Sequence, residues 1–406
     1  MRGARALFLG APVEVAQLIV AGQGVVLFDA SEPCTLRFTD ASGESGITVE
    51  FSQDDVKAHL IPSCKPLIDT DNKKGLSSLK GAYYWVSLDT QNLRLMAGIG
   101  EPRFGTGIYS FHFGPKDKLF LESLTTVKPR ALQIRSLLRD PITSSVPLLV
   151  KPTDSLTMDD IASGSYLPVA NLSLTSQKLY NCISGKKFNL ATPDFPDFVK
   201  AIEYSIATPG CWCYERLKEK ANEFGKPNPE ETYLRITLGE NNGESPGIPY
   251  VMEVWPPGHY SPVHNHGGSS AIIRVLSGGI NVSVFAFLGA DEAFGASLFK
   301  KDDVTWISPG LNQVHQLKNL STTDTCITIQ CYMYETSDTK HYDYFDYLDT
   351  DNTVQKFEPD SDMEFLMFKA LIRTEWAERR ANAKPWFLFN SLLPMPALET
   401  AQRKLK

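Results

Sequence analysis

No apolar run in the 406-residue chain is long enough to cross a bilayer, which excludes a helical membrane span. Positive charge is short too: 40 Lys and Arg stand against 47 Asp and Glu, for a net charge of −7. With no global basic field there is nothing to attract a nucleic-acid backbone, so neither nucleic acid nor membrane is expected as a partner. The seven cysteines are odd in number and lack framework spacing, and Cys211 and Cys213 have no second pair of the kind a zinc ribbon uses. A reducing, cytoplasmic location is the expectation, and the Asn-x-Ser triplets at Asn171, Asn281 and Asn319 are then chance matches. Two arginines precede a short apolar patch at the N-terminus, but Pro12 and Glu14 interrupt it too early for a signal peptide. Gly98, Gly100, Gly105 and Gly107 miss the spacing of a dinucleotide fingerprint and read as turns between strands. Histidine is scarce as well, at seven, yet two lie one residue apart, His264 and His266.

The rest of the composition is that of an ordinary globular protein, 42% apolar and 21% charged, with chain enough for two domains and an appendage. Residues 1–135 carry short β-branched or aromatic segments (VVLFDA, CTLRFTD, GITVEF, AYYWVSLD) between Gly, Asp, Asn and Ser turns. They predict a β-sandwich-like module of unknown role. Residues 136–187 show no clean period and are read as a linker with packing segments. Near residue 190 the pattern changes: Thr192 suits a cap, Pro193 a first helical position, and Phe195, Phe198 and Ile202 recur at helical spacing. A second helix is expected over about 213–223.

From Tyr233 to Glu335 the chain is strand-like again (YLRITL, YVMEVW, AIIRVL, INVSVFAFL, VTWIS, CITIQCYMY), with no helix between strands. This pattern predicts a closed or double-sheet antiparallel barrel. After an acidic, aromatic stretch, Ser361 and Glu364 have capping-box spacing. Phe365, Phe368, Ile372 and Trp376 then mark one face of a C-terminal helix that packs on the barrel. The fold class is thus mainly β: sandwich, barrel over 188–345 with flanking helices, and a helical tail over 346–406.

In a strand, residues i and i+2 point to the same face, so His264 and His266 would project together. His315, where a strand resumes after Pro309-Gly310, has the context and separation to join them. His59 and His112 fall in the first module, and His341 lies in the acidic tail. Three converging imidazoles point to a metal site, although histidine count alone leaves iron, nickel and zinc open.

Gly258, the His264-Asn265-His266 triplet, a small-residue run and an apolar segment ending at Gly278 resemble the first cupin motif. Pro309-Gly310, His315 and Asn319 resemble the second. The first motif usually carries a glutamate ligand where this chain has Ala271, and the second a glycine where it has Asn312. A three-histidine cupin resembles the thiol dioxygenases, cysteine dioxygenase above all. In that family a Tyr-x-Arg stands upstream, as Tyr233 and Arg235 do here, and an active-site tyrosine falls where Tyr332 stands. The resemblance covers about residues 188–340. It implies Fe(2+) held by His264, His266 and His315, Arg235 gripping the substrate carboxylate, and Tyr332 bonding substrate or oxygen.

Neutral imidazoles leave the iron its full charge, which favours deprotonation of a bound thiol. The activity implied is oxidation of free L-cysteine to cysteine sulfinate with O2. Two departures bear on it. Animal relatives have, at Ala271, a cysteine that cross-links to the tyrosine, and Gln330 replaces a histidine that polarises it. Competing expectations are a related dioxygenase acting on 3-mercaptopropionate or another small thiol, and a non-catalytic metal-binding cupin whose first module recognises a ligand. Arg235 could instead pair with Glu240 or Glu244. The segment YYWVSLDTQNLRLMAGIG is similar to strand pairs of natterin-like β-modules and carries no activity with it.

Overall fold

A computed structural model describes residues 6–8, 14–69, 74–143, 145–185, 187–238, 249–334 and 345–382. Twelve strands, from Ala6–Phe8 to Gln133–Leu138, form two antiparallel six-stranded sheets. Strands Gln23–Asp29 and Tyr84–Asp89 lie at the centre of one, Cys34–Thr39 and Gly46–Phe51 at the centre of the other. Alternation places each side chain: in Cys34–Thr39, Cys34, Leu36 and Phe38 are buried while Arg37 is exposed. Phe28, Phe51 and Tyr84 meet edge-on or tilted across the two sheets, with centroids 5.2–5.8 Å apart, and make the sandwich core.

The second body is a two-sheet jelly-roll barrel. Its large sheet has eight strands, with Ser270–Ser277, Cys326–Met333 and Tyr250–Trp255 side by side near the middle. The facing sheet has three: Ala293–Lys300, Gly279–Phe285 and His315–Lys318. Between them pack Trp255, Val275 and Cys326 from one side and Ile280, Val282 and Leu317 from the other. Helices Leu174–Ile183, Phe198–Ala207 and Phe365–Asn382 cover the outer face of the large sheet, burying Leu179, Phe198, Ile202, Phe368 and Ile372 against Ile272 and Ile329. The expected class, mainly β with a sandwich followed by a jelly-roll barrel and flanking helices, is the observed one. Among the described residues no helix is long and apolar enough to cross a membrane. All seven cysteines are free.

Three local expectations are corrected. The 136–187 stretch is more than a linker: Leu149–Lys151 and Tyr166–Pro168 extend the large sheet, with Val150 opposite Val304. These runs are only three residues long, too short for any period to register. The first helix begins at Phe198 rather than at Pro193, because Phe195 precedes Pro196 and is pushed out of helical geometry. Ser361 and Glu364 form no capping box. The Ser361 hydroxyl donates to the Met363 carbonyl, and Met363–Glu364 pairs with the edge of the large sheet before the helix starts.

Candidate metal centre

His264 and His315 face each other as an antiparallel pair, each backbone N–H donating to the other's carbonyl at 3.0 Å. His315 opens the strand that continues to Lys318 and pairs with Val284 of the neighbouring strand. His264 was expected on a strand with His266. It makes only isolated bridges, to His315 and Tyr347, and the chain then turns through Gly267 and Gly268, both at positive φ. The turn, rather than strand alternation, brings His266 in. Gln313 ties that turn to the loop before His315: its side chain accepts from the Gly268 N–H at 3.0 Å and donates to the Ser269 carbonyl at 2.8 Å.

The three rings form a nearly equilateral triangle, with centroids 4.9, 4.8 and 4.8 Å apart and ligand atoms all within 4.8 Å of one another. His266 and His315 are buried; His264 keeps partial exposure. Burial, with the other rings beside it, pushes the His264 pKa down to about 3; burial alone takes His315 to about 4 and dominates the fall at His266. All three are therefore neutral at physiological pH, the form that offers a lone pair to a metal.

The second nitrogens orient two of them. His264 Nδ1 donates to the Pro262 carbonyl at 3.0 Å and His315 Nδ1 to the Asn312 carbonyl at 3.1 Å, which leaves Nε2 as the free nitrogen of each. Nε2 of His266 lies 3.2 Å from Nε2 of His315. Three neutral imidazoles converging this closely, with no carboxylate grouped with them among the described residues, fit a divalent transition metal.

The cavity beside the triangle is narrow, with a volume of about 10 Å³, room for roughly one water. Tyr332 and Arg235 line it, and so does Tyr233, stacked on Trp255 at 4.3 Å. The Tyr332 ring lies nearly parallel to His266 at 5.7 Å, and Phe345 covers another side of that imidazole at 4.7 Å. Ala271 stands directly opposite Tyr332 across the strand pair, so only a methyl group approaches the tyrosine there.

A residue that sequence reasoning missed joins these groups. Glu253 is buried on the neighbouring strand and accepts from Arg235 at 2.6 Å. Gln330 donates its amide to the other Glu253 oxygen and accepts the Tyr332 hydroxyl through its own carbonyl. Tyr332, Gln330, Glu253 and Arg235 thus form one chain of hydrogen bonds, with Gln330 at its centre. Burial pushes the Glu253 carboxyl up to about 7 against the pull of Arg235. One signal was available: Val251, Glu253 and Trp255 share a strand face, and a lone charge in YVMEVW has to be paired if that face is buried. Arg235 keeps its Nε without a partner among the described residues. Glu240 and Glu244, the other partners considered for it, lie outside those residues.

No family model matches the chain. Solved structures similar to parts of it include the cupin domain of Schizosaccharomyces pombe Cnp3, with 19% identity and a TM-score of 0.21, covering 26% of this chain and 66% of that one. An oxalate oxidase in complex with a substrate analogue, glycolate, is similar at 18% identity and TM-score 0.22, over 26% of this chain and 52% of its own. A Thermus thermophilus protein, TT1209, is similar at 20% identity and TM-score 0.21, over 28% and 91%. The chain therefore spans just under two thirds of the first and about half of the second. These likenesses concern about a quarter of the chain; the metal centre stands on the three imidazoles themselves.

Proposed function

We propose that the protein is an iron-dependent dioxygenase that oxidises the thiol of free L-cysteine to cysteine sulfinate, both oxygen atoms on the sulfur coming from O2. The observation that carries this reading is the joint placement of three neutral imidazoles, a tyrosine and a buried arginine in one small cavity. His264, His266 and His315 would hold Fe(2+), which when bound would supply Lewis acidity toward a thiol and redox chemistry toward O2.

The protein's own part is position, charge and dryness. Arg235 lines the cavity with its Nε unpaired among the described residues, and its fork geometry suits a carboxylate better than lysine would. The Tyr332 hydroxyl, whose proton goes to the Gln330 carbonyl, is an acceptor at fixed position beside His266. Phe345 and Trp255 give the cavity wall apolar surface.

A second reading, a related dioxygenase acting on another small thiol, is favoured by one observation: Arg235 already has a carboxylate partner in Glu253. Oxygen uptake by the iron-loaded chain separates the two, with L-cysteine, 3-mercaptopropionate and cysteamine compared at equal concentration. Turnover of cysteine ahead of both supports the first reading. Absence of oxygen uptake with every thiol, from protein holding one iron per chain, overturns the dioxygenase assignment and leaves a metal-binding cupin.

A further inference from the structure

The glycine-rich turn of the sandwich, residues 98–107, docks on the barrel. Gly100, at φ +76°, lies so close that an added Cβ would sit 2.3 Å from the Ala286 carbonyl oxygen. The next residue, Glu101, donates its N–H to that same carbonyl at 2.7 Å. Beyond it two charged side chains disappear into the junction, Glu101 at 3% exposure and Arg103 at 5%. They pair with each other and converge on a single residue of the barrel, Asn312.

Every polar group of Asn312 except its carbonyl is engaged by this junction or by the strand beside it. Its backbone N–H donates to Glu101 at 2.8 Å, its side-chain oxygen accepts from Arg103 at 2.5 Å, and its side-chain nitrogen donates to the Trp306 carbonyl at 2.8 Å. Arg103 also donates to the Val146 carbonyl at 2.6 Å, which anchors the guanidinium independently. Asn312 is itself 3% exposed and sits at φ +63°, the left-handed region that glycine enters freely and asparagine tolerates. Its remaining polar atom, the carbonyl oxygen, is the one that accepts from His315 Nδ1.

We propose that Glu101 and Arg103 are positioning residues for the metal centre, acting through Asn312. The sandwich thereby sets the ring orientation and tautomer of His315, the third ligand of a site that lies wholly in the other domain. A carbonyl that holds Nδ1–H decides that Nε2 faces the metal, and such outer partners typically govern metal affinity by 10–100-fold. A glycine at 312 would give the same backbone angle and keep the N–H that meets Glu101, but would offer Arg103 no side chain; asparagine gives both. The inference rests on the three-histidine metal reading, and goes beyond it by assigning the first module a part in the site.

The test uses the full chain, Co(II) as probe and the variant Asn312→Gly, which keeps the backbone conformation and removes the side-chain anchor. A double variant, Glu101→Gln with Arg103→Met, removes both charges together so that neither is left buried alone. Expected results are a roughly 10-fold weaker Co(II) affinity in each variant and an altered ligand-field spectrum. In the metal-free chains, long-range nitrogen–proton NMR should show a mixture of His315 tautomers where the native chain holds Nδ1–H. A residue of purely structural importance would lower the melting temperature and leave the affinity, the spectrum and the tautomer of the folded fraction unchanged; that outcome overturns the proposal. Native chain that takes up no Co(II) overturns the metal reading and this inference with it. Native and variant chains that bind alike overturn this inference alone.

Discussion

Each of the three imidazoles sits in the cavity for a different local reason. His315 is held by its strand and by a carbonyl at Nδ1, and His264 by its pairing with His315 and by Pro262; His266 comes in on a turn. Removing any one should abolish tight binding, since two imidazoles make a poor site for a single ion. His266→Ala is expected to take up less than about a tenth of the native iron in metal analysis of purified protein, a loss of the size seen when ligation is disturbed; stoichiometric iron in that variant would refute the site. Glu253 is the residue with the sharpest chemical consequence. It offsets the charge of Arg235 and competes with any substrate carboxylate for it. Glu253→Gln keeps the shape and drops the charge, so KM for cysteine should fall about 5-fold, roughly 1 kcal/mol, while cysteamine, without a carboxylate, is unaffected. Equal effects on both thiols would mean that Arg235 does not contact the substrate.

At the scale of elements, the large sheet carries the site on its inner face and a helical cover on its outer one. Phe368 of the C-terminal helix is fully buried against Phe198 at 6.0 Å and Trp212 at 5.5 Å. Phe368→Ala should cost about 3 kcal/mol in urea unfolding, yet leave Co(II) affinity unchanged because no ligand touches the helix. A change in affinity would show that the outer cover shapes the site. The helical face was legible in the sequence, since Phe368, Ile372 and Trp376 recur at its period. Its start was not: Ser361 found partners on the neighbouring strand end, and a capping pattern carries no information about such competitors.

For the whole molecule, the buried imidazoles make stability depend on pH. Their native pKa values lie near 3 for His264 and near 4 for His315, against about 6.5 when unfolded. The unfolded chain therefore binds more protons between these values. Stability is fully present above pH 6.5 and lost as pH falls toward 4 and then 3. Thermal melts of metal-free protein should drop steadily across that window, and replacing His315 with the neutral isostere in His315→Gln should flatten part of the slope; an unchanged slope would place the titration elsewhere. The two domains are also coupled. A chain begun at residue 188 lacks the strands Leu149–Lys151 and Tyr166–Pro168, the helix Leu174–Ile183 and the Arg103 anchor. It is expected to lose cooperative unfolding in urea, and a sharp native-like transition would show that the barrel is self-sufficient.

By itself the sequence determined what local spacing can encode. Alternation of apolar and polar residues marks strands, and helical recurrence marks the outer cover; the scarce histidines stand in contexts that single out 264, 266 and 315. Tertiary structure alone decided which groups face one another across the fold. Glu253 meets Arg235 from the adjacent strand, and Glu101 and Arg103 reach Asn312 across more than 200 residues of chain. The physical reason is that a buried charge must find a partner wherever the packed surfaces bring one, and nothing in the order of residues along the chain records which surfaces will meet.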